Sequence, residues 1–234
     1  MSSAAELGER LASIRERIAR AAQRAGRDPA GVVVLAITKG HPVAAIEDAV
    51  AVGLRQVGES RVQEARAKQA QLSGREISWH MIGHLQRNKA RAAATMFDTV
   101  HSVDGAAVAA ALAAGRGPER LPLSVYIEVE LTGIPARTGV APEAAAGLLT
   151  ELRGLPALAP VGLMTIAPPG PPEAARACFA HLRELRERLR ELSGMELGEL
   201  SMGMSDDYEV AVEEGATVLR LGRALFGSRP GPGP

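Results

Sequence analysis

The stretch Val32–Val50, "VVVLAITKGHPVAAIEDAV", carries a strand, a turn and a helix in succession. Val32 to Thr38 is a short run of mostly apolar, β-branched residues, the signature of a buried strand. Gly40 and Pro42 punctuate it, and the residues after Pro42 fall into a helical pattern that runs to Gly53. The same unit recurs along the 234 residues. Strands are read at "VVVLAIT" (Val32), "RQVG" (Arg55), "ISWHMI" (Ile77), "DTVHS" (Asp98), "LSVYIEVE" (Leu123), "LAPVGLM" (Leu158), "GELSMG" (Gly198) and "TVLRLG" (Thr217), with helix-like segments between them. Strands that alternate with helices pair in parallel, because parallel neighbours need a crossover. Eight such units in about 200 residues predict a closed (β/α)8 TIM barrel, here preceded by an extra amphipathic N-terminal helix. An open doubly wound sheet would carry G-x-G-x-x-G after its first strand, where this chain has "TKGHP". The barrel is expected to occupy residues 1–227, and the Gly- and Pro-rich residues 228–234 are expected to be disordered. Helices are expected to close with left-handed glycines at Gly53, Gly115, Gly194 and Gly215. The longest helix is read around Pro172 to Leu192, with Phe179, Leu182, Leu185, Leu189 and Leu192 on its apolar stripe.

Composition narrows the function classes. Lys+Arg and Asp+Glu are both 27, a formal net charge of +0, so no basic excess exists to neutralise nucleic acid or an anionic membrane. No apolar run reaches the length of about 18 residues that a membrane span needs. The one cysteine, Cys178, can form neither an internal disulfide nor a zinc cluster, and it reads as a packing residue in a reducing compartment. The N-terminal helix lacks the apolar segment of a signal peptide. A cytoplasmic monomer is the expectation.

In a parallel barrel the βα loops converge at the C-terminal ends of the strands, so chemistry is sought there. Lys39 ends the first strand. An amine held behind apolar residues tends toward its neutral, carbonyl-reactive form, although a lysine snorkelling to solvent is the commoner arrangement. The C-terminal third strengthens the reactive reading. Ser201, Gly203 and Ser205 follow strand seven, and Gly222 and Arg223 follow strand eight, where such barrels often hold phosphate on backbone N–H groups. Ser201 and Gly222 suit a phosphate cradle, whereas helix capping is expected of at least one of Ser205 and Asp206. Arg220 lies in an otherwise apolar strand and needs a ligand or an acid such as Glu128 or Glu130. A carbonyl-reactive lysine, a phosphate cradle and an inward arginine together describe a site for pyridoxal 5′-phosphate (PLP).

The segments "AITKGHP", "VGESRVQEA", "WHMIGHLQRNK", "HSVDG", "VGLMTI" and "LSMGMSDDYEVAVEEGATVLRLGRALFG" resemble the pyridoxal phosphate homeostasis proteins, which look like the barrel domain of alanine racemase standing alone. The resemblance runs from about Leu11 to Gly227. It implies that Lys39 forms the Schiff base with PLP, that Ser201, Gly222 and the backbone of Arg223 hold the phosphate, that Arg220 faces the pyridine nitrogen, and that Met164 lines the pocket. It also implies a role in carrying or buffering PLP, with PLP-dependent apo-enzymes as candidate recipients. Ser60 stands where relatives usually have Asn, and Arg223 where they usually have Thr or Ser.

A guanidinium cannot accept a proton from a pyridinium, so a ring nitrogen facing Arg220 stays unprotonated and the ring is a weaker electron sink. Racemisation needs a base on each face of the bound substrate. Neither Tyr126, in a strand, nor Tyr208, at a helix start, stands out as the second one. A non-catalytic carrier is therefore preferred over two alternatives, an amino-acid racemase and a cofactor-free aldolase that forms its Schiff base with a sugar phosphate. His80 and His84 have the spacing of a helical zinc pair but fall in a strand and a turn, so hydrogen-bonding roles are expected and no metal. Trp79 reads as core, and His41 and His101 as strand-end residues that would flank a ligand.

Overall fold

The computed structural model describes residues 3–228. The expected disordered tail therefore lies outside the described residues, apart from Ser228. Eight parallel strands close into a barrel in sequence order, with β1 pairing β8 through Val33–Val218 to Ala36–Leu221. The strands are β1 (Val33–Ile37), β2 (Gln56–Glu59), β3 (Ser78–Met81), β4 (Thr99–Val103), β5 (Leu123–Glu128), β6 (Leu158–Met164), β7 (Glu199–Ser201) and β8 (Val218–Leu221). Helix α1 (Ala4–Arg24) precedes them. The crossovers are α2 (Val43–Ala51), α3 (Val62–Gln71), α4 (Arg87–Met96), α5 (Ala106–Ala113), α6 (Ala145–Arg153), α7 (Arg176–Ser193) and α8 (Tyr208–Glu213), and α9 (Arg223–Phe226) follows β8.

Two cores follow from the period-two alternation of the strands. Outward residues such as Ala36, Val57, Val100, Leu219 and Leu221 pack beneath the helices in one continuous cluster. Inward residues Leu35, Ile37, Tyr126, Met164 and Val218 form a second, smaller cluster inside the barrel. Polar groups share the interior with them: His80, His101, Ser201 and Arg220 are all buried there. Helix α1 lays Leu7, Leu11, Ile14 and Ile18 against the barrel, its partners being α8, α9 and α2. Ser3 caps its start by accepting from Glu6 N.

Several local expectations are corrected. The longest helix is α1, of 21 residues; α7 has 18, because Pro172–Ala175 forms a separate 3₁₀ turn before it. The buried apolar stripe of α7 ends at Leu189, and Leu192 is 79% exposed. Gly53, Gly194 and Gly215 take the left-handed conformation expected after a helix, but Gly115 does not. Gly115 lets α4 approach closely, since a Cβ there would stand 2.6 Å from Arg91 O. No helix among the described residues is long and apolar enough to cross a membrane.

Candidate functional site

Strand β1 delivers Thr38, and the chain turns at Lys39 and Gly40, with His41 N donating to Thr38 O at 2.9 Å. Gly40 takes φ 73°, a left-handed value that glycine tolerates at little cost. Lys39 is half-buried and opens into a cavity of about 420 Å³ at the C-terminal end of the barrel. Ile37, Ile82, Ile166 and Met204 supply apolar walls to this cavity, and Arg220, Gly222 and Arg223 reach it from β8 and the start of α9. Four of the six residues singled out from the sequence, Lys39, Arg220, Gly222 and Arg223, thus meet around one cavity.

The other two lie beneath it. Met164 is buried in the interior cluster with Ile37, which does reach the cavity wall. Ser201 is fully buried, and its hydroxyl lies 2.8 Å from His101 Nδ1 and 2.9 Å from Arg220 Nη1. The small hydroxyls that do line the cavity are those of Ser205 and Ser228; Ser205 accepts from Ala224 N at 3.0 Å and so ties the β7–α8 loop to the first turn of α9. Asp206 pairs instead with Arg223, both side chains being exposed. Capping is therefore right for Ser205, but of α9 and not of α8.

Arg220 is held without a carboxylate. Nη1 donates to Ser201 O at 2.7 Å and to Ser201 Oγ, and Nη2 donates to Thr165 O at 2.9 Å. Among the described residues no acid forms an ion pair with it. Glu130 instead accepts from Thr132 and Gly133, and Glu128 from Thr138. Burial lowers the guanidinium to about 10, still well above neutrality, so Arg220 remains a cation aimed at the cavity.

At Gly222 a Cβ would stand 3.3 Å from Ile37 O, so the backbone there presses close to the end of β1 with no side chain between it and the cavity. Bare backbone at a helix start, two serine hydroxyls and three basic side chains against one exposed acid form a donor set suited to an anion. Gly203, with φ 91°, shapes the preceding loop, where a Cβ would meet Ala211 Cβ at 2.5 Å.

The histidines have separate partners. His80 Nδ1 lies 2.9 Å from His101 Nε2 in the interior, while His84 Nδ1 lies 3.2 Å from Asp104 at the rim. His101 also stacks on Tyr126, with ring centroids 4.2 Å apart. Of the two expected to flank a ligand, His41 lines the cavity beside Phe226, whereas His101 does not reach it. Trp79 is buried in the outer core. Sequence reading missed the apolar walls Ile82, Ile166 and Met204. They sit at loop starts, where single apolar residues carry no periodic signal.

The family model for the alanine racemase N-terminal domain matches residues 10–230. A pyridoxal phosphate homeostasis protein of Pseudomonas aeruginosa is 46% identical over 224 residues, covering 95% of this chain and 96% of the relative. The chain belongs to this family. PipY of Synechococcus elongatus PCC7942 is 41% identical over 94% of this chain and 100% of its own, with a TM-score of 0.85 to the structure without PLP and 0.83 to the structure with PLP bound. Alanine racemase of Corynebacterium glutamicum, at 18% identity and a TM-score of 0.69, covers 96% of this chain but 63% of its own, and shares the fold.

Proposed function

We propose that the chain, working as one barrel unit over residues 1–227, binds PLP as a Schiff base on Lys39 and carries or buffers it in intracellular PLP homeostasis. The observation that carries this reading is the meeting of Lys39, Arg220, Gly222 and Arg223 at a single cavity, in a family whose relative PipY has been solved with PLP bound. The cofactor would supply a reactive aldehyde and an electron-withdrawing ring. Lys39 would contribute the nitrogen of the C=N bond, with loss of water. The backbone at Gly222 and Arg223 suits the phosphate, and Ser205 is better placed than Ser201 to add a hydroxyl. Ser201 would act through Arg220, and Met164 through the cavity wall at Ile37. Because Arg220 stays cationic, it would keep the pyridine nitrogen unprotonated.

A carrier fits better than a racemase. Tyr126 donates to Glu199 at the opposite mouth of the barrel, and Tyr208 packs beneath Arg17 on the α1 side. Neither tyrosine reaches the cavity as a second base. A cytoplasmic location is supported by the single thiol, and a monomer by the surface. Outside the cavity, the largely exposed big apolar side chains among the described residues are Leu121 and Leu192. Apo-enzymes that take up the cofactor would be transient partners.

The test is the visible spectrum of the purified protein with PLP beside that of Lys39→Ala, together with an amino-acid racemisation assay. An imine band present in the wild type and absent from the variant, without turnover, supports the carrier. Turnover lost in Lys39→Ala favours the racemase. No band in either protein removes PLP from the account.

A further inference from the structure

The turn that presents Lys39 is gripped by an ionic cluster from β2 and α3. Lys68, on α3, is 6% exposed, and its Nζ lies 2.8 Å from Thr38 O, 2.7 Å from Glu59 Oε1 and 2.8 Å from Glu64 Oε1. Three acceptors use the full donor capacity of an ammonium. Glu59, fully buried at the end of β2, also accepts from Thr38 Oγ1 at 2.6 Å. Glu64 accepts from Gly40 N at 2.6 Å. The residue before Lys39 is thus held by its carbonyl and hydroxyl, and the residue after it by its N–H.

Stability alone is a poor reason for this cluster. Taking an ammonium and a carboxylate out of water is costly, and an apolar replacement of similar volume is often neutral or stabilising. Here the cost is visible, because Glu59 Oε2 has no hydrogen-bond partner and burial pushes the Glu59 carboxyl upward. What an ion cluster supplies and a greasy contact does not is direction. Its hydrogen bonds fix Thr38 and Gly40 at defined distances, and so fix the path from which the Lys39 side chain leaves.

We propose that Lys68, with Glu59 and Glu64, is the positioning device for Lys39, setting the approach of its amine to an aldehyde in the cavity. This rests on the PLP reading above. The three groups act through the backbone on either side of Lys39 and are positioning residues, not catalytic ones.

The experiment compares full-length wild type, Lys68→Met, Lys68→Arg and Glu64→Ala. Each is mixed with PLP to follow the imine band, and separately with pyridoxine 5′-phosphate, which has the ring and phosphate but no aldehyde. Circular dichroism and thermal melts monitor the fold. Imine formation is expected to slow by about 10- to 100-fold in Lys68→Met and by a smaller factor in Glu64→Ala, with partial rescue in Lys68→Arg. Binding of pyridoxine 5′-phosphate should stay within about twofold of wild type, since the residues that would hold its phosphate and ring, Gly222, Arg223 and Arg220, lie on other elements. Unchanged imine kinetics in folded Lys68→Met overturn the proposal, as does an equal loss for both ligands, which would mean general collapse of the site. Should Lys68→Met fail to fold, Glu64→Ala decides alone, because Glu64 is partly exposed and its loss leaves the Lys68–Glu59 pair intact. A wild type without an imine band fails the PLP reading itself; a normal wild-type band with unchanged variants fails only the role of Lys68.

Discussion

His101 Nδ1 stands 2.8 Å from the hydroxyl of Ser201, and that hydroxyl accepts from Arg220. With His80 Nδ1 on the other nitrogen of His101 and Ser78 Oγ 3.3 Å from His80 Nε2, a polar chain runs up the inside of the barrel to the guanidinium at the cavity. A barrel interior is ordinarily filled by layers of branched apolar residues, whereas here His80, His101, Ser201 and Arg220 place groups inside it that specify one another's orientation.

Both histidines are held neutral. Burial lowers His80 from 6.5 to about 4, and burial, with His80 and Arg220 nearby, places His101 well below its ordinary value. The unfolded chain therefore binds more protons than the folded one below pH 6.5, so stability falls as pH drops from about 6.5 toward 4. His80 alone accounts for about 3 kcal/mol across that window. Urea midpoints measured from pH 8 to pH 4 should decline below about pH 6.5, and His80→Gln should flatten the decline.

Arg220→Met should destabilise the barrel by about 2–4 kcal/mol. It removes three hydrogen bonds from a cation to Ser201 and Thr165 and leaves Thr165 O buried without the guanidinium, while Ser201 O keeps its bond from Thr165 N. Arg220→Lys should recover part of the loss, since a single ammonium cannot span Ser201 and Thr165 as the planar fork does. Thermal melts of both variants read the difference; equal, wild-type-like melting would show that Thr165 O finds another donor.

Gly162→Ala should cost more than about 3 kcal/mol or abolish folding. A Cβ at Gly162 would stand 1.9 Å from Glu199 O and 2.6 Å from its carbonyl carbon, backbone atoms of β7 that cannot yield without breaking the barrel register. Soluble expression and chemical denaturation test this, and a stable variant would mean that β6 and β7 separate more easily than their pairing indicates.

Helix α1 should be held by its apolar stripe and not by its ion pairs. Arg24→Ala removes bridges to Glu209 and Glu213 from a half-exposed side chain and should cost less than about 1 kcal/mol. Leu11→Ala empties a fully packed position and should cost about 2–5 kcal/mol. Parallel denaturation curves distinguish the two, and raised salt should affect neither much.

What the sequence determined by itself was the order and type of the elements. Most strands are short runs rich in apolar and β-branched residues, helices such as α1 and α7 carry an apolar face at their own period, and eight alternations leave few topologies other than a closed parallel barrel. Lys39 and Arg220 were legible for a related reason, since a charged group at or inside an apolar strand conflicts with its surroundings and demands an explanation. Tertiary structure alone decided how the polar interior is wired. Ser201 and Ser205 are both small hydroxyls after strand seven; only the inward turn of β7 puts one against His101 and Arg220 and the other in the cavity. Likewise Glu64 and Lys68 have the i, i+4 spacing of an ordinary surface pair, and only the packing of α3 against the end of β1 buries Lys68 and turns the pair onto the backbone around Lys39. Local sequence encodes local period, whereas hydrogen bonds between distant strands depend on barrel closure, which no short segment contains.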